Sequence, residues 1–262
     1  MLRVVLMVWA MLFMSPVVAQ SVSATMAAMS PLEAVNVAGR QRMLTQRIVK
    51  NYAQLVLGVA PERARNNLEA SVRLFDKQLA SLKPIAVGEP QKTTLAEMNK
   101  RWARLRVLAV GPLDGANIQF IDHEAEELLK LAQSLVGQIE ESHPVAVAQW
   151  VNLAGRQRML SQRMAKLYML RAMGDNSARL RDEMDAARRE FGVILTNLQA
   201  VRHNTKDISR ELEAIALQWE WFRQSLDLEG AFSYRLLVAD ASESILASMD
   251  NVVFLYEKLS IK

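Results

Sequence analysis

The sequence predicts an all-α protein made of two tandem antiparallel four-helix bundles. Three observations carry that expectation. The chain repeats itself: Asn36 to Gly58 and Asn152 to Gly174 agree at 13 of 23 positions, at an offset of 116. Apolar residues recur at helical spacing, as at Leu68, Phe75, Leu79 and Leu82, with no strand alternation. Prolines and glycines cut the chain into segments joined by short connections, which makes successive helices antiparallel neighbours.

The repeat runs well beyond its best-matched part. Leu68, Phe75, Leu79 and Leu82 correspond to Met184, Phe191, Leu195 and Leu198; one slip later, Trp102 corresponds to Trp219 and Leu128-Leu129 to Ile245-Leu246. A unit of this length suits a small domain, not a solenoid repeat. The units are expected at 31–143 and 145–262.

Within the first unit, helices are expected at 32–57, 61–83, 90–110 and 115–142. Pro31 and Pro61 open two of them, where a missing N–H costs nothing, while Pro84, Pro90 and Pro112 fall between segments. Pro144 separates the units. The second unit is expected to hold helices at 145–173, 176–200, 205–227 and 231–260, punctuated by Gly174-Asp175-Asn176, His203-Asn204-Thr205 and Gly230. The tryptophans 102, 219 and 221 lie on the third helices and are expected in the core.

The first 19 residues read as a signal peptide: Arg3, the apolar run Val4 to Met14, Pro16, and Val17-Val18-Ala19 before a cut at Gln20. The run is short of the ~20 residues of a membrane span. The expectation is a soluble periplasmic protein, which argues against nucleic acid as a partner.

Composition removes several kinds of chemistry. There is no Cys, hence no disulfide framework, thiol catalysis or thiolate metal site, and His occurs only at 123, 143 and 203. Glu140 and His143 have the spacing of a di-iron motif, but the second unit lacks a counterpart and Pro144 abuts it. No nucleophile–base pair or Gly-rich phosphate loop stands out. No enzyme activity, cofactor or metal is expected.

Charge concentrates in the first helix of each unit. Ala34 to Pro61 contains Arg40, Arg42, Arg47 and Lys50 and no acid; Ser142 to Gly174 contains Arg156, Arg158, Arg163, Lys166 and Arg171 and no acid. Like charges stacked without local relief need acids from other helices, such as Glu124, Glu126 and Glu127, or a bound anion. One stripe, Val37, Leu44, Ile48 and Leu55, faces the core, matched by Leu153, Leu160, Met164 and Arg171, the last as a snorkelling exception. Gly39, Arg42 and Gln46 share another face, repeated by Gly155, Arg158 and Gln162. These six are the candidate ligand-binding residues, and Arg40, Arg47, Arg156 and Arg163 are secondary candidates. A helical Gly costs about 1 kcal/mol relative to Ala, so its presence in both copies suggests a notch for close approach. Arg42 and Arg158 are expected to bind ligand and to support the fold no more than ordinary surface residues do.

The run Asn-x-Ala-Gly-Arg-Gln-Arg-Met-Leu-Ser/Thr-Gln-Arg resembles the N-terminal domain of type IV pili methyl-accepting chemotaxis transducers, the PilJ-type domain, in two copies. More distantly it is similar to the periplasmic domain of NarX-like nitrate/nitrite sensors. The resemblance implies an antiparallel four-helix bundle and, from the nitrate sensors, anion binding at a subunit interface through a Gly-x-x-Arg segment. In this chain that segment is Gly39 with Arg42 and Gly155 with Arg158. The nitrate sensors have uncharged residues where Arg40-Gln41 and Arg156-Gln157 stand here, a departure that counts against nitrate itself; the expected ligand is a small anion, a nitrate- or nitrite-like oxyanion or another compact acidic molecule. Family members continue into a membrane helix and a signalling module, whereas this chain stops at Lys262. A membrane receptor or sensor kinase is therefore the expected partner, with a homodimer as a further one. The alternative expectation is a structural or adaptor protein of the type IV pilus or chemosensory system, docking acidic protein surfaces without a small ligand.

Two arrangements of the units compete. Ser142-His143-Pro144 as a tight hairpin would set the two first helices parallel and bring Arg42 and Arg158 to one pocket. Pro144 as a kink in one long helix would stack the units end to end and leave each motif needing a second molecule.

Overall fold

The computed structural model describes residues 29–228 and 230–259. The leader at 1–19 lies outside the described residues. Eight α-helices follow in order: α1 Pro31–Val56, α2 Pro61–Ser81, α3 Glu89–Val110, α4 Ile118–Ser142, α5 Ala148–Ala172, α6 Ala178–Gln199, α7 Lys206–Ser225 and α8 Phe232–Glu257. Short 3-10 turns at Lys83–Ile85 and Gly115–Asn117 precede α3 and α4. Among the described residues there is no strand, and no helix is long and apolar enough to cross a membrane.

The helix ends follow local chemistry. Ser30, Ser177 and Thr205 cap α1, α6 and α7 by accepting a backbone N–H at the third helical residue. Pro31, Pro61 and Pro90 all sit in first turns, so Pro90 starts α3 and does not precede it. Just past α1 and α5, Gly58 and Gly174 adopt φ of 68° and 103°, a conformation that side chains disfavour and that lets the chain turn back. The two motif helices thus end alike.

Within each unit the four helices close a ring, α1-α2-α3-α4 and α5-α6-α7-α8, by neighbour packing. The cores repeat as well: Phe75 stacks on Trp102 with centroids 4.0 Å apart, and Phe191 on Trp219 at 4.3 Å. Trp221 departs from expectation: it points outward from α7 at 77% exposure, because the core-facing position of that turn belongs to Trp219.

The most extensive helix–helix contact joins the units, between α1 and α5. The chain leaves α4 at Ser142, turns through residues 143–147 and starts α5 at Ala148, three residues later than the sequence suggests. Because α5 reverses α4 as α4 reverses α1, the two motif helices run parallel. Their cross-contacts keep the offset of the repeat, with Lys50 reaching Gln162 and Arg42 lying against Gly155. The hairpin arrangement is the observed one, and the units lie side by side.

Candidate functional site

Helices α1 and α5 are buried over most of their circumference, not along one apolar stripe. Arg42 is 1% exposed and Arg158 is 0%, and Gln41, Gln46, Lys50 and their counterparts Gln157, Gln162 and Lys166 are fully buried. Both arginines are therefore interior groups, contrary to their reading as surface residues. The reason is topological: α2, α4 and α5 surround α1, and α1, α6 and α8 surround α5.

Each arginine folds back over the glycine one turn before it. A Cβ added at Gly39 would lie 3.0 Å from Arg42 Nη2. One added at Gly155 would lie 3.2 Å from Arg158 Nη2 and 3.5 Å from Arg42 Nη2. The notch thus holds guanidinium groups, and the two arginines meet beside Gly155.

Their partners are related by the repeat. Arg42 Nη2 donates to Asn152 Oδ1 at 2.8 Å, and Arg158 Nη2 donates to Asn36 Oδ1 at 2.7 Å. The asparagine amides pass the polarity on: Asn152 Nδ2 donates to Glu140 and Asn36 Nδ2 to Glu257. Arg42 Nη1 donates to Gln133 at 2.6 Å, while Arg158 Nη1 donates to Asp250 at 2.6 Å. Asp250 is thus an ion-pair partner of Arg158, whereas no carboxylate among the described residues pairs with Arg42. Burial, with the Arg156 and Arg158 guanidiniums beside it, lowers the Arg42 pKa to about 9. Burial also lowers Arg158, with Asp250 opposing it.

About two turns further along lies a layer of lysines. Lys50 pairs with Glu243 and donates to Gln162 at 2.7 Å; Lys166 pairs with Asp122 at 2.7 Å and Glu126 at 2.6 Å. Burial pushes Lys50 down to about 8 against the pull of Glu243. Burial would raise Glu126 and Glu243, but the cations around them hold both at about 2.

Of the predicted site residues, the structure brings together Gly39, Arg42, Gly155 and Arg158. Gln46 and Gln162 join the lysine layer, with Gln46 Nε2 donating to Glu126. The secondary arginines are paired: Arg40 with Asp250, Arg47 with Glu243, Arg156 with Glu190, and Arg163 with Glu126 and Glu183. Of the three acids expected to serve the motif helices, only Glu126 does; Glu124 faces Arg101 and Arg104, and Glu127 faces Arg101 and Lys130. Sequence reading missed Asn36, Asn152, Gln133, Asp122, Glu243 and Asp250. The asparagines open both copies of the motif, and the later offset of 117 aligns Glu126 with Glu243 and Gln133 with Asp250. Glu140, considered above for its spacing from His143, is taken by Asn152.

A family model described as "Type IV pili methyl-accepting chemotaxis transducer N-term" matches residues 30–128 and again 145–251. No curated protein matches the chain, and no solved structure does.

Proposed function

The chain belongs to the family of type IV pili methyl-accepting chemotaxis transducer N-terminal domains, and from that premise we propose that it is an exported sensory protein binding a compact anion between its two motif helices. The observation that carries the reading is Arg42. A guanidinium that is 1% exposed, flanked by two others and in direct ion pair with no described carboxylate, feels Glu140 and Glu190 only at longer range and has no anion of its own in contact. A small anion at the α1–α5 seam supplies that contact with strong, charge-assisted hydrogen bonds. One buried cation without a direct ion-pair partner favours a monovalent anion, since a second negative charge in a dry site goes unpaired. Gly39 and Gly155 keep the seam narrow enough for guanidinium groups from both helices to reach the same anion. Drawing α1 and α5 together on the ligand is a helix shift of about 1–2 Å, which a partner docked on the bundle reads.

The adaptor reading draws less support. It needs basic helices with a face open to acidic surfaces, and the motif cations are buried or already paired.

Thermal unfolding in nitrate, nitrite, acetate, sulfate and phosphate at fixed ionic strength tests the proposal. Saturable stabilisation by a monovalent anion is expected, about 2.7 kcal/mol at a hundred times its Kd. A uniform response to all salts would remove the ligand from the reading.

A further inference from the structure

Repeated geometry with unrepeated charge marks one place in this molecule. Gln133 on α4 and Asp250 on α8 occupy equivalent positions. Gln133 Oε1 accepts from Arg42 at 2.6 Å and from Arg156 at 3.2 Å. Asp250 Oδ1 accepts from Arg158 at 2.6 Å and from Arg40 at 2.9 Å. Each bridges the buried arginine of its own unit and the outer arginine of the other unit. One is neutral and the other is an anion.

We infer that the seam takes one anion per chain, on the Arg42 side, with Gln133 as its gate and Asp250 as a built-in anion occupying the equivalent position beside Arg158. This rests on the anion-binding reading above and adds where, how many and by which residue. The chemistry separates the two side chains. A carboxylate only accepts hydrogen bonds, so Asp250 satisfies its arginines and repels a second anion. A glutamine amide accepts through its oxygen and donates through its nitrogen. Without ligand, the Gln133 oxygen serves Arg42 and Arg156; rotated about its last torsion, the same side chain donates an N–H to an anion that takes over both arginines.

Grooves open on both sides, the one beside Asn36 and Arg40 also lined by the carboxylates Glu33 and Glu257, so charge and not access separates the sides. A groove of about 430 Å³ between α4, α5 and α6 is lined by Gln133, Arg156, Met159, Arg163, Glu183 and Glu190 among others. Gln133 is half-buried there, with one face toward the groove and its oxygen on the buried guanidinium. An anion entering the groove meets Arg156, from which it must displace Glu190, and then Arg42 behind Gln133.

Calorimetric titration of the full chain with nitrate, nitrite and acetate tests this, beside Gln133→Asp and Asp250→Gln. One anion per wild-type chain is expected. Gln133→Asp gives Arg42 the partner that Arg158 already has, so affinity should fall at least tenfold while the ligand-free melting temperature holds or rises. A merely structural glutamine would instead lower it. Asp250→Gln should raise the stoichiometry toward two. Two anions per wild-type chain, or undiminished binding to Gln133→Asp, would overturn this inference and leave the anion reading standing. If none of the three anions binds the wild type, both fall.

Discussion

Arg42 and Arg158 hold matching positions in the repeat but differ in what removing them leaves behind. Loss of Arg42 leaves two neutral acceptors, on Asn152 and Gln133, which can find other donors. Loss of Arg158 leaves Asp250 a charge served by Arg40 alone. Arg42→Met is therefore expected to change ligand-free stability by about 1 kcal/mol or less, since relief of desolvation offsets lost hydrogen bonds. Arg158→Met should cost more, about 2–3 kcal/mol, discounted from a fully buried pair because Asp250 is half-exposed. Urea unfolding with equal m-values measures the difference; equal costs would show that the charge asymmetry carries no energy. Arg42→Met should lose anion-induced stabilisation, whereas Arg158→Met should keep most of it, because Asp250 already occupies Arg158. Gly155 adds a steric version of the same test. Gly155→Ala gains roughly 1 kcal/mol of helix propensity but sets a methyl against both guanidiniums. Ligand-free stability should stay near wild type and anion affinity should drop several-fold; unaltered affinity would mean the arginines do not meet the anion beside this glycine.

At the scale of the element, each fourth helix neutralises the first helix of the other unit. Glu243 on α8 holds Arg47 and Lys50 of α1, and Glu126 on α4 holds Arg163 and Lys166 of α5. The two locks differ in redundancy, because Lys166 also has Asp122 whereas the matching position on α8 is Ala239. Glu243→Gln should thus cost about 3–5 kcal/mol, the penalty for stranding a buried cation, and Glu126→Gln distinctly less. Both carboxyls sit at about 2, below the 4.5 of a free glutamate. Their contribution is complete above pH 4.5 and is lost as pH falls through that range toward 2. Helix content followed by circular dichroism should fall over this window, and a double Gln variant should lack that component; a wild-type acid curve would assign the loss to other groups. Much of this level was legible beforehand. Prolines, glycines and the 3.6-residue period marked all eight helices to within a few residues at most ends. The hairpin between α4 and α5 was one of the two arrangements the sequence left open, but which acids of α4 and α8 serve the other unit's first helix was not legible, because periodicity assigns a residue to a face and says nothing about which side chains meet it. Arg42 was expected in a notch beside a neighbouring helix, but that α5 would bury it to 1% exposure was not legible for the same reason.

Across the whole molecule, the repeat behaves as a dimer folded within one chain. The α1–α5 contact is built from residues present in both units, so each half carries the complement of its own surface. In a pair of identical first units, Arg42 of one copy would meet Asn36 of the other, as Arg158 does here, and Lys50 would meet Glu126, as Lys166 does. A lone unit would instead expose a helix whose Gln41, Arg42, Gln46 and Lys50 are interior groups, with Lys50 deprived of Glu243. Residues 29–144 expressed alone are therefore expected to form a dimer, with a melting temperature that rises with protein concentration. Light scattering coupled to size-exclusion chromatography, with thermal scans at two concentrations, measures both. A stable monomer with full helicity would show that each bundle closes its own core and that the seam is an accessory contact. Joining the copies in one chain also removes the constraint that keeps a homodimer symmetric. In a pair of identical chains, position 133 must be the same residue on both sides. In this chain one side carries the neutral Gln133 while the other carries Asp250, an asymmetry open only to a protein whose two halves are encoded separately.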